Sequence, residues 1–354
     1  MLSKSDKAGP GGKPNARGGA SIRQVAAEAG VSIATVSRVM NSPELVSADT
    51  ASRVQRVIKR LGYTPHPLAQ ALGSGESRVL GIALPGFHGQ FFSEMLRGAD
   101  AEATRRGYYL AVTSLTRHPD GRRREHILGS GLMDGTILFI ADLDDPLIEE
   151  VNHASLPAVV IGVDLSSSGV DSVILDNARG VEEAVEHLMR WVEPGRVYFA
   201  GGPRSNFDSM RRAEAFEATL RARGIEPVPE QVTFGEYSFE WGKEWALRMK
   251  QRGLLEGAAV LAGNDEIACG IVRAAEDVGV WSPDQLRVVG FDDTLLATLV
   301  RPRLSTVALS MAEVGATAVS LLVERLGNER HDPGRCVSLP TRLVVRESST
   351  AMTF

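Results

Sequence analysis

Residues 21–41 read SIRQVAAEAGVSIATVSRVMN, and this stretch decides the fold of the N-terminal part. Ser21 is a helix N-cap with Gln24 at capping-box spacing. Ile22, Val25, Ala26 and Ala29 follow at i, i+3, i+4 and i+7, one apolar face of a short helix. Gly30 ends it, because a glycine takes the left-handed conformation without steric cost. Ser32 caps a second helix whose inner face is Val36, Val39 and Met40, and Asn41, Ser42 and Pro43 stop it. A third helix follows Ser47, with Val54, Val57, Ile58 and Leu61 inside and Gly62 at its end. Short helices joined first by a tight glycine turn predict a helix-turn-helix unit.

Outward from this unit the texture changes twice. Residues 1–20 are rich in Gly, Pro, Lys and Ser without periodicity, which predicts a disordered tail. After Tyr63, Pro67 suits the first turn of a short helix running to Leu72, and Gly73-Ser74-Gly75 predicts a flexible link. From Arg78 onward, apolar runs such as Val79–Leu84, Gly135–Ile140 and Ala258–Ala262 alternate with amphipathic stretches such as Phe91–Arg106, Ala178–Trp191 and Asp265–Val278. Strand-then-helix alternation predicts parallel sheets flanked by helices. There are too many units for one core, so two similar α/β lobes are expected.

The net charge of −5 hides an asymmetry. Residues 1–77 carry +5 and the remaining 277 carry −10. A basic head on an acidic body predicts a polyanionic partner for the head alone. Two cysteines, Cys269 and Cys336, cannot build a disulfide framework and suggest a reducing, cytoplasmic setting. No run approaches the ~20 apolar residues of a membrane span, and Met1 to Ala20 hold no apolar signal core, so no membrane partner is expected.

The AGVS turn at 29–32, followed by TVSRV at 35–39 and Asn41, resembles the headpiece of the LacI/GalR family of bacterial transcription regulators. The resemblance continues through Tyr63, Pro65, Ala69 and Leu72 of the hinge. It extends to Phe91-Phe92, Asp134-Gly135, Asp176-Asn177, Arg211-Arg212, Asn264-Asp265 and the GFDDT string at 290–294. It implies a helix-turn-helix headpiece (21–66), a hinge helix and linker (67–77) and an effector-binding and dimerisation domain (78–354). That domain would be a periplasmic-binding-protein-like α/β core of two doubly wound parallel-sheet lobes. Lobe 1 would hold about 78–176 and 309–338, and lobe 2 about 177–308 and 339–350. The implied function is a sequence-specific repressor. It binds a palindromic double-stranded DNA operator as a homodimer, tuned by a sugar or sugar derivative between the lobes. No cofactor or metal is implied.

In a helix-turn-helix the second helix enters the major groove. Ile33, Ala34, Thr35, Ser37 and Arg38 are therefore the expected readers, with Asn41 beyond them. Arg38 can fork onto a guanine edge, worth ~1–3 kcal/mol of discrimination, while Ile33 and Ala34 can meet thymine methyl groups. Ser21, Ser32, Thr35, Ser47 and Arg53 are expected at phosphates, which position without specifying. Tyr63, His66 and Ala69 complete the DNA set, and Leu72 is expected to wedge a minor-groove base step.

For the effector, Arg212 is the leading residue, since a guanidinium makes forked bonds to hydroxyls or carboxylates. Asn264 and Asp292 would add acceptors, with a cap or turn role as the competing reading for Asp292. Phe91, Phe92 and Tyr237 would wall the site, with core packing as their competitor. Many relatives carry Asn-Pro before the paired aromatics, where this chain has Gly89-Gln90. Many carry Asp after the Val-Val-x-Ile strand; here Gly162 stands there, and Asp164, two residues on, is the expected substitute.

A solute-binding protein, or a co-repressor-dependent regulator with a non-sugar effector, is the alternative. The basic head argues against the former. An enzyme is not expected, because no Gly-x-Ser-x-Gly elbow, P-loop, His-Glu-x-x-His or early G-x-G-x-x-G occurs.

Overall fold

The computed structural model describes residues 20–63, 77–86, 89–115, 132–142, 144–153, 156–327 and 333–350. The chain divides into two compact units that part between Ser77 and Arg78. The hinge segment that carries His66, Ala69 and Leu72 lies outside the described residues.

The first unit holds α1 (Ile22–Ala29), α2 (Ile33–Asn41) and α3 (Ala48–Leu61). The capping box at Ser21 is formed: Gln24 N–H donates to Ser21 Oγ at 3.3 Å, and Ser21 N–H donates to Gln24 Oε1 at 2.8 Å. Gly30 and Gly62 take φ values of 62° and 60° where α1 and α3 end. Val25, Ala26, Ala29, Val36, Val39, Val54 and Val57 are buried together, so each helix contributes to one small core. At roughly 1.5–3 kcal/mol for each fully buried branched side chain, that core has little to spare. An ion pair from Arg60 to Glu28 ties α3 to α1.

The second unit is two lobes, each built on a six-stranded sheet. In lobe 1 the strands β1 (Val79–Leu84), β2 (Tyr109–Ser114), β3 (Gly135–Phe139), β4 (Ala158–Ile161), β5 (Asp171–Leu175) and β11 (Cys336–Leu339) lie in the order β11-β5-β4-β3-β1-β2. All its pairings are parallel. In lobe 2, β6 (Val197–Gly201), β7 (Val232–Phe234), β8 (Ala258–Ala262), β9 (Leu286–Asp292), β10 (Ser305–Ala308) and β12 (Arg342–Val344) lie in the order β12-β10-β9-β8-β6-β7. These are parallel too, except that β12 runs antiparallel to β10. The chain passes between lobes after Leu175, after Ala308 and after Leu339.

The intervening helices are α4 (Gly89–Arg105), α5 (Leu147–Asn152), α6 (Asn177–Leu188), α7 (Phe207–Ala222), α8 (Phe239–Gln251), α9 (Asp265–Asp277), α10 (Leu295–Leu299) and α11 (Met311–Gly327). Glycines let two helix pairs meet backbone to backbone. A Cβ on Gly98 of α4 would lie 1.8 Å from the Ala312 carbonyl oxygen of α11, and one on Gly315 would lie 2.1 Å from that of Met95. In lobe 2 the same device joins α8 to α9: Cβ atoms on Gly242 and Gly270 would lie 2.1 and 2.0 Å from the carbonyl oxygens of Ile267 and Phe239.

Candidate functional site

On α2 the expected readers separate cleanly from the core. Val36 and Val39 are buried, while Ile33 (45% exposed), Ala34 and Arg38 are open and Ser37 is half-buried beside them. These four fall on the face opposite the valines, as a helix laid in a groove requires. The Ser32 hydroxyl accepts from the Thr35 N–H at 3.1 Å and bonds the Thr35 hydroxyl at 2.9 Å, which fixes the first turn. Asn41 is the last residue of α2.

Ser47 makes no cap bond to the backbone; its hydroxyl donates to Thr50 Oγ1 at 3.0 Å. Arg53 is exposed, with Asp49 only at 4.0 Å. Tyr63 packs against the headpiece core, and burial raises the pKa of its phenol. Leu45, 73% exposed in the turn after α2, was given no role from sequence.

In the second unit a cleft of about 310 Å³ opens between the lobes. It lies at the C-terminal ends of the strands, where open α/β sheets bind ligands. Lobe 1 gives it Pro85, Phe91, Phe92, Phe139 and Ala141. Phe91, Phe92 and Phe139 meet edge to face at ring separations of 5.2, 6.0 and 5.2 Å, a single aromatic wall.

Lobe 2 gives the polar side. Asn206, Asp208, Arg212 and Tyr237 line one part, and Asn264, Asp265, Glu266, Asp292 and Thr294 the other. The lobes touch at the rim, where the Phe207 N–H donates to the Ala141 carbonyl at 2.7 Å.

Arg212 is buried and held on several sides. Its Nε donates to Asn177 Oδ1 at 2.9 Å and its Nη1 to the Gly263 carbonyl at 2.6 Å. Its guanidinium carbon stacks 3.6 Å over the Phe291 ring. These bonds use two of its five N–H groups and fix the guanidinium beside the cleft that it lines, with Nη2 3.9 Å from Asp292 Oδ1.

Asp292 Oδ1 is buried and has no hydrogen-bond partner. Burial pushes this carboxyl well above the usual carboxylate range, and Arg212 only partly offsets the rise. Its backbone is strained as well, with φ of 105° at Asp292 and 53° at Asp293, values that L-residues seldom adopt. The neighbours hold that conformation. Asp265 accepts from the Thr294 N–H at 2.7 Å and the Thr306 hydroxyl at 2.6 Å, and Arg346 donates to Asp293 at 2.6 Å. A buried acceptor without a donor, on a loop braced in a strained shape, is what a site waiting for a hydroxyl or amine looks like.

Asn264 faces the cleft, but its Oδ1 caps α9 by accepting from the Ile267 N–H at 2.9 Å. What it can offer a ligand is its amide NH2 and the second lone pair of Oδ1. Tyr237 lines the cleft with its hydroxyl 3.3 Å from Asn206 Oδ1. Burial raises the pKa of that phenol, so it stays a donor.

Asp164 is not among the cleft residues. Its carboxylate turns back to accept from the Ser166 N–H at 2.9 Å, and the hydrogen bonds from Ser166 lower its pKa. Gly162 explains the departure: its φ is 108° and a Cβ there would lie 2.3 Å from the Ile140 carbonyl oxygen. Sequence reasoning also missed Phe139, Asn206, Asp208 and Glu266. Each lies at or just after the C-terminal end of a strand or at a helix start, and that position was the available signal.

Known proteins share this fold. Residues 21–66 match the family model described as bacterial regulatory proteins, lacI family, and residues 195–349 match the periplasmic binding protein-like domain. The catabolite control protein A of Staphylococcus xylosus is 31% identical over 328 residues, covering 92% of this chain and 98% of that protein. That of Priestia megaterium is 29% identical over 331 residues, covering 93% and 98%.

Among solved structures, the lac repressor dimer bound to operator and the anti-inducer ONPF superposes with a TM-score of 0.82 at 25% identity, over 94% of this chain and all of that one. The transcriptional regulator CelR in complex with cellobiose superposes with a TM-score of 0.70 at 26% identity, over 93% and 100%. With relatives above 30% identity matched over nearly their full length, this chain belongs to the LacI family of bacterial regulatory proteins.

Proposed function

We propose that this chain is a transcriptional repressor of the cytoplasm that binds a palindromic operator as a homodimer, with its operator affinity set by a small sugar-like effector in the cleft. It acts by binding rather than by catalysis. The observation that carries the reading is the union, in one chain, of an exposed face on α2 with a cleft whose floor holds a buried carboxyl oxygen that accepts no hydrogen bond. The cleft's chemistry favours a polyhydroxylated ligand. The phenylalanine wall suits the C–H face of a sugar ring, and Asp208, Glu266 and Asp292 offer acceptors to hydroxyl groups. Solved relatives with cellobiose and with ONPF support the same reading.

A second copy would dock where lobe 2 exposes apolar surface. Leu295, Leu296 and Leu299 on α10 are all exposed, and a cluster of that kind marks interaction surfaces. Two headpieces would then read the two half-sites of a palindrome. The mechanism is a population shift. A ligand that binds one degree of lobe closure better than another alters operator affinity by the difference, commonly ~1–3 kcal/mol.

The test is binding of the full chain to a palindromic operator, such as one selected from random sequence, beside non-operator DNA at fixed salt. Selection should yield a symmetric site bound at least a hundredfold more tightly than random DNA. Equal affinity for all sequences would overturn the reading.

A further inference from the structure

In lobe 2 a run of hydroxyl groups pins residues 346–350 onto the sheet. Ser348 and Ser349 are buried in a short turn. Ser348 Oγ accepts from the Ser305 N–H at 2.8 Å and donates to the Val288 carbonyl at 2.6 Å. Ser305 Oγ accepts from the Arg346 N–H at 2.7 Å and donates to the Arg346 carbonyl at 3.0 Å. The Ser349 hydroxyl donates to Ser305 Oγ at 2.6 Å. With that proton spent, Ser349 Oγ accepts from Nε2 of His187, 2.8 Å away on α6. His187 is 6% exposed, so a titratable ring holds the last link of a buried seam joining α6 to β9 and β10. We propose that His187 is a proton-sensitive clasp: acid drives its ring out to water and frees residues 346–350 from the sheet.

The charges around the ring set the sign. Arg190, just past α6, and Arg287 of β9 both place positive charge against it. Arg287 Nε is buried without a hydrogen-bond partner, and only Asp284 offsets its charge. The acids of the neighbouring elements are engaged elsewhere. Glu183, one turn before His187, accepts from Arg179 and from the Leu343 N–H of β12. Glu186 is bound by Arg223 at the end of α7, and Glu347 by Arg303. Among the described residues no carboxylate bonds the ring. Burial first and the two arginines second hold the imidazole pKa below its ordinary value, and the Ser349 backbone offsets only part of this. In water the ring takes its proton near pH 6.5. Falling pH therefore favours whichever state exposes it, so the seam is closed above about pH 6.5 and loosens below.

The consequence reaches the cleft floor. Arg346, in the freed segment, donates to Asp293 Oδ1 at 2.6 Å and to the Leu304 carbonyl at 2.9 Å. Loss of that brace would relax the strained turn at 292–293. Acid would thus loosen the floor through a residue outside the cleft. Asp265, beneath the same turn, holds its proton more tightly in the folded chain, so acid acting there would tighten the floor instead.

The experiment is amide hydrogen exchange of the full chain, without ligand, at pH 7.5 and pH 5.5, with rates corrected for intrinsic exchange. At pH 5.5 an exposed imidazole is protonated about ten to one. Exchange over residues 346–350 should therefore rise about threefold to tenfold, with a smaller rise over 290–294 and none in β1 of lobe 1. His187→Gln, whose side-chain amide can donate to Ser349 without titrating, should keep the protection of pH 7.5 and abolish the rise. Arg287→Gln, which removes one of the two cations, should at least halve the rise with the histidine in place. A flat profile in the unaltered chain, or a rise that survives His187→Gln, overturns the clasp. Should that variant not fold, an undiminished rise in Arg287→Gln overturns it.

Discussion

The two lobes repeat one architecture yet treat a buried aspartate in opposite ways. Each has a six-stranded sheet, and each has a helix pair joined through facing glycines. In lobe 1 the buried Asp171 accepts from Arg325 at 2.7 Å and from Arg335 at 2.8 Å, and Arg335 also reaches Glu324 at 2.7 Å. In lobe 2 the buried Asp265 has only hydroxyl and backbone donors, from Thr294 and Thr306.

Burial raises both carboxyl groups. In Asp171 the two arginines outweigh burial and hold the pKa at about 2, whereas in Asp265 burial wins and the pKa rises to about 6. The lesson is one of placement. Charge is neutralised far from the cleft, where it braces β5 against β11, and is left under-compensated beneath the cleft, where a ligand can use it. The cleft walls divide likewise: lobe 1 contributes aromatic surface, lobe 2 the acceptors and the single locked cation.

The comparison can be broken at several points. The largest effect should come from Asp171→Ala, which removes a fully buried carboxylate from the half-buried Arg325 and the exposed Arg335. At about 1.5–3 kcal/mol for each hydrogen bond to a charged group, with several lost at once, this should be the largest stability loss, read by denaturant melts of the full chain. Next is Arg212→Ala. It deletes the cation that sets the cleft floor, and at about 1.5–3 kcal/mol for a charged hydrogen bond, sugar affinity should fall ten- to hundredfold. Operator binding without sugar should persist. If Arg212→Ala instead unfolds the chain, the guanidinium is a brace like those around Asp171, and the contrast between the lobes fails.

The pH dependence should show both signs. Asp265 binds its proton more tightly folded than unfolded, so its contribution to stability is lost as pH rises from about 4 through about 6. Asp171 binds its proton less tightly when folded, so its contribution is present above about pH 4 and lost as pH falls toward about 2. Each shift of roughly two pK units corresponds to about 2–3 kcal/mol. Melts from pH 3 to 7 should lose the decline above pH 4 in Asp265→Asn and keep it in Asp171→Asn. The smallest effect should be Phe139→Leu, which preserves apolar volume but removes a ring from the wall. A loss of about 0.5–1.5 kcal/mol, threefold to tenfold in sugar affinity, is expected by titration.

Much of this was legible in the sequence because the signals were local. The capping box at Ser21, the left-handed glycines at 30 and 62 and the valine spacing of α2 need only neighbours along the chain. The strands β10, β11 and β12 were not read. They are four, four and three residues long, too short to show an alternating pattern, and β11 and β12 lie at sheet edges.

The site was legible where one residue type has few other uses, as with Arg212. Phe139 was hidden in a continuous apolar strand, and Asp208 looked like an ordinary acid in the first turn of a helix. Asp164 shows the reverse error. A carboxylate two residues past the family position satisfied its own backbone turn, and sequence spacing does not reveal where a side chain spends its hydrogen bonds.

The central claim is that a ligand in this divided cleft controls the headpiece. Operator affinity of the full chain, measured at fixed salt with and without the tightest-binding sugar, tests it most directly. The account predicts at least a fivefold change on operator, none on random DNA, and no change on either in Arg212→Ala. An operator affinity indifferent to a sugar that demonstrably binds would contradict it.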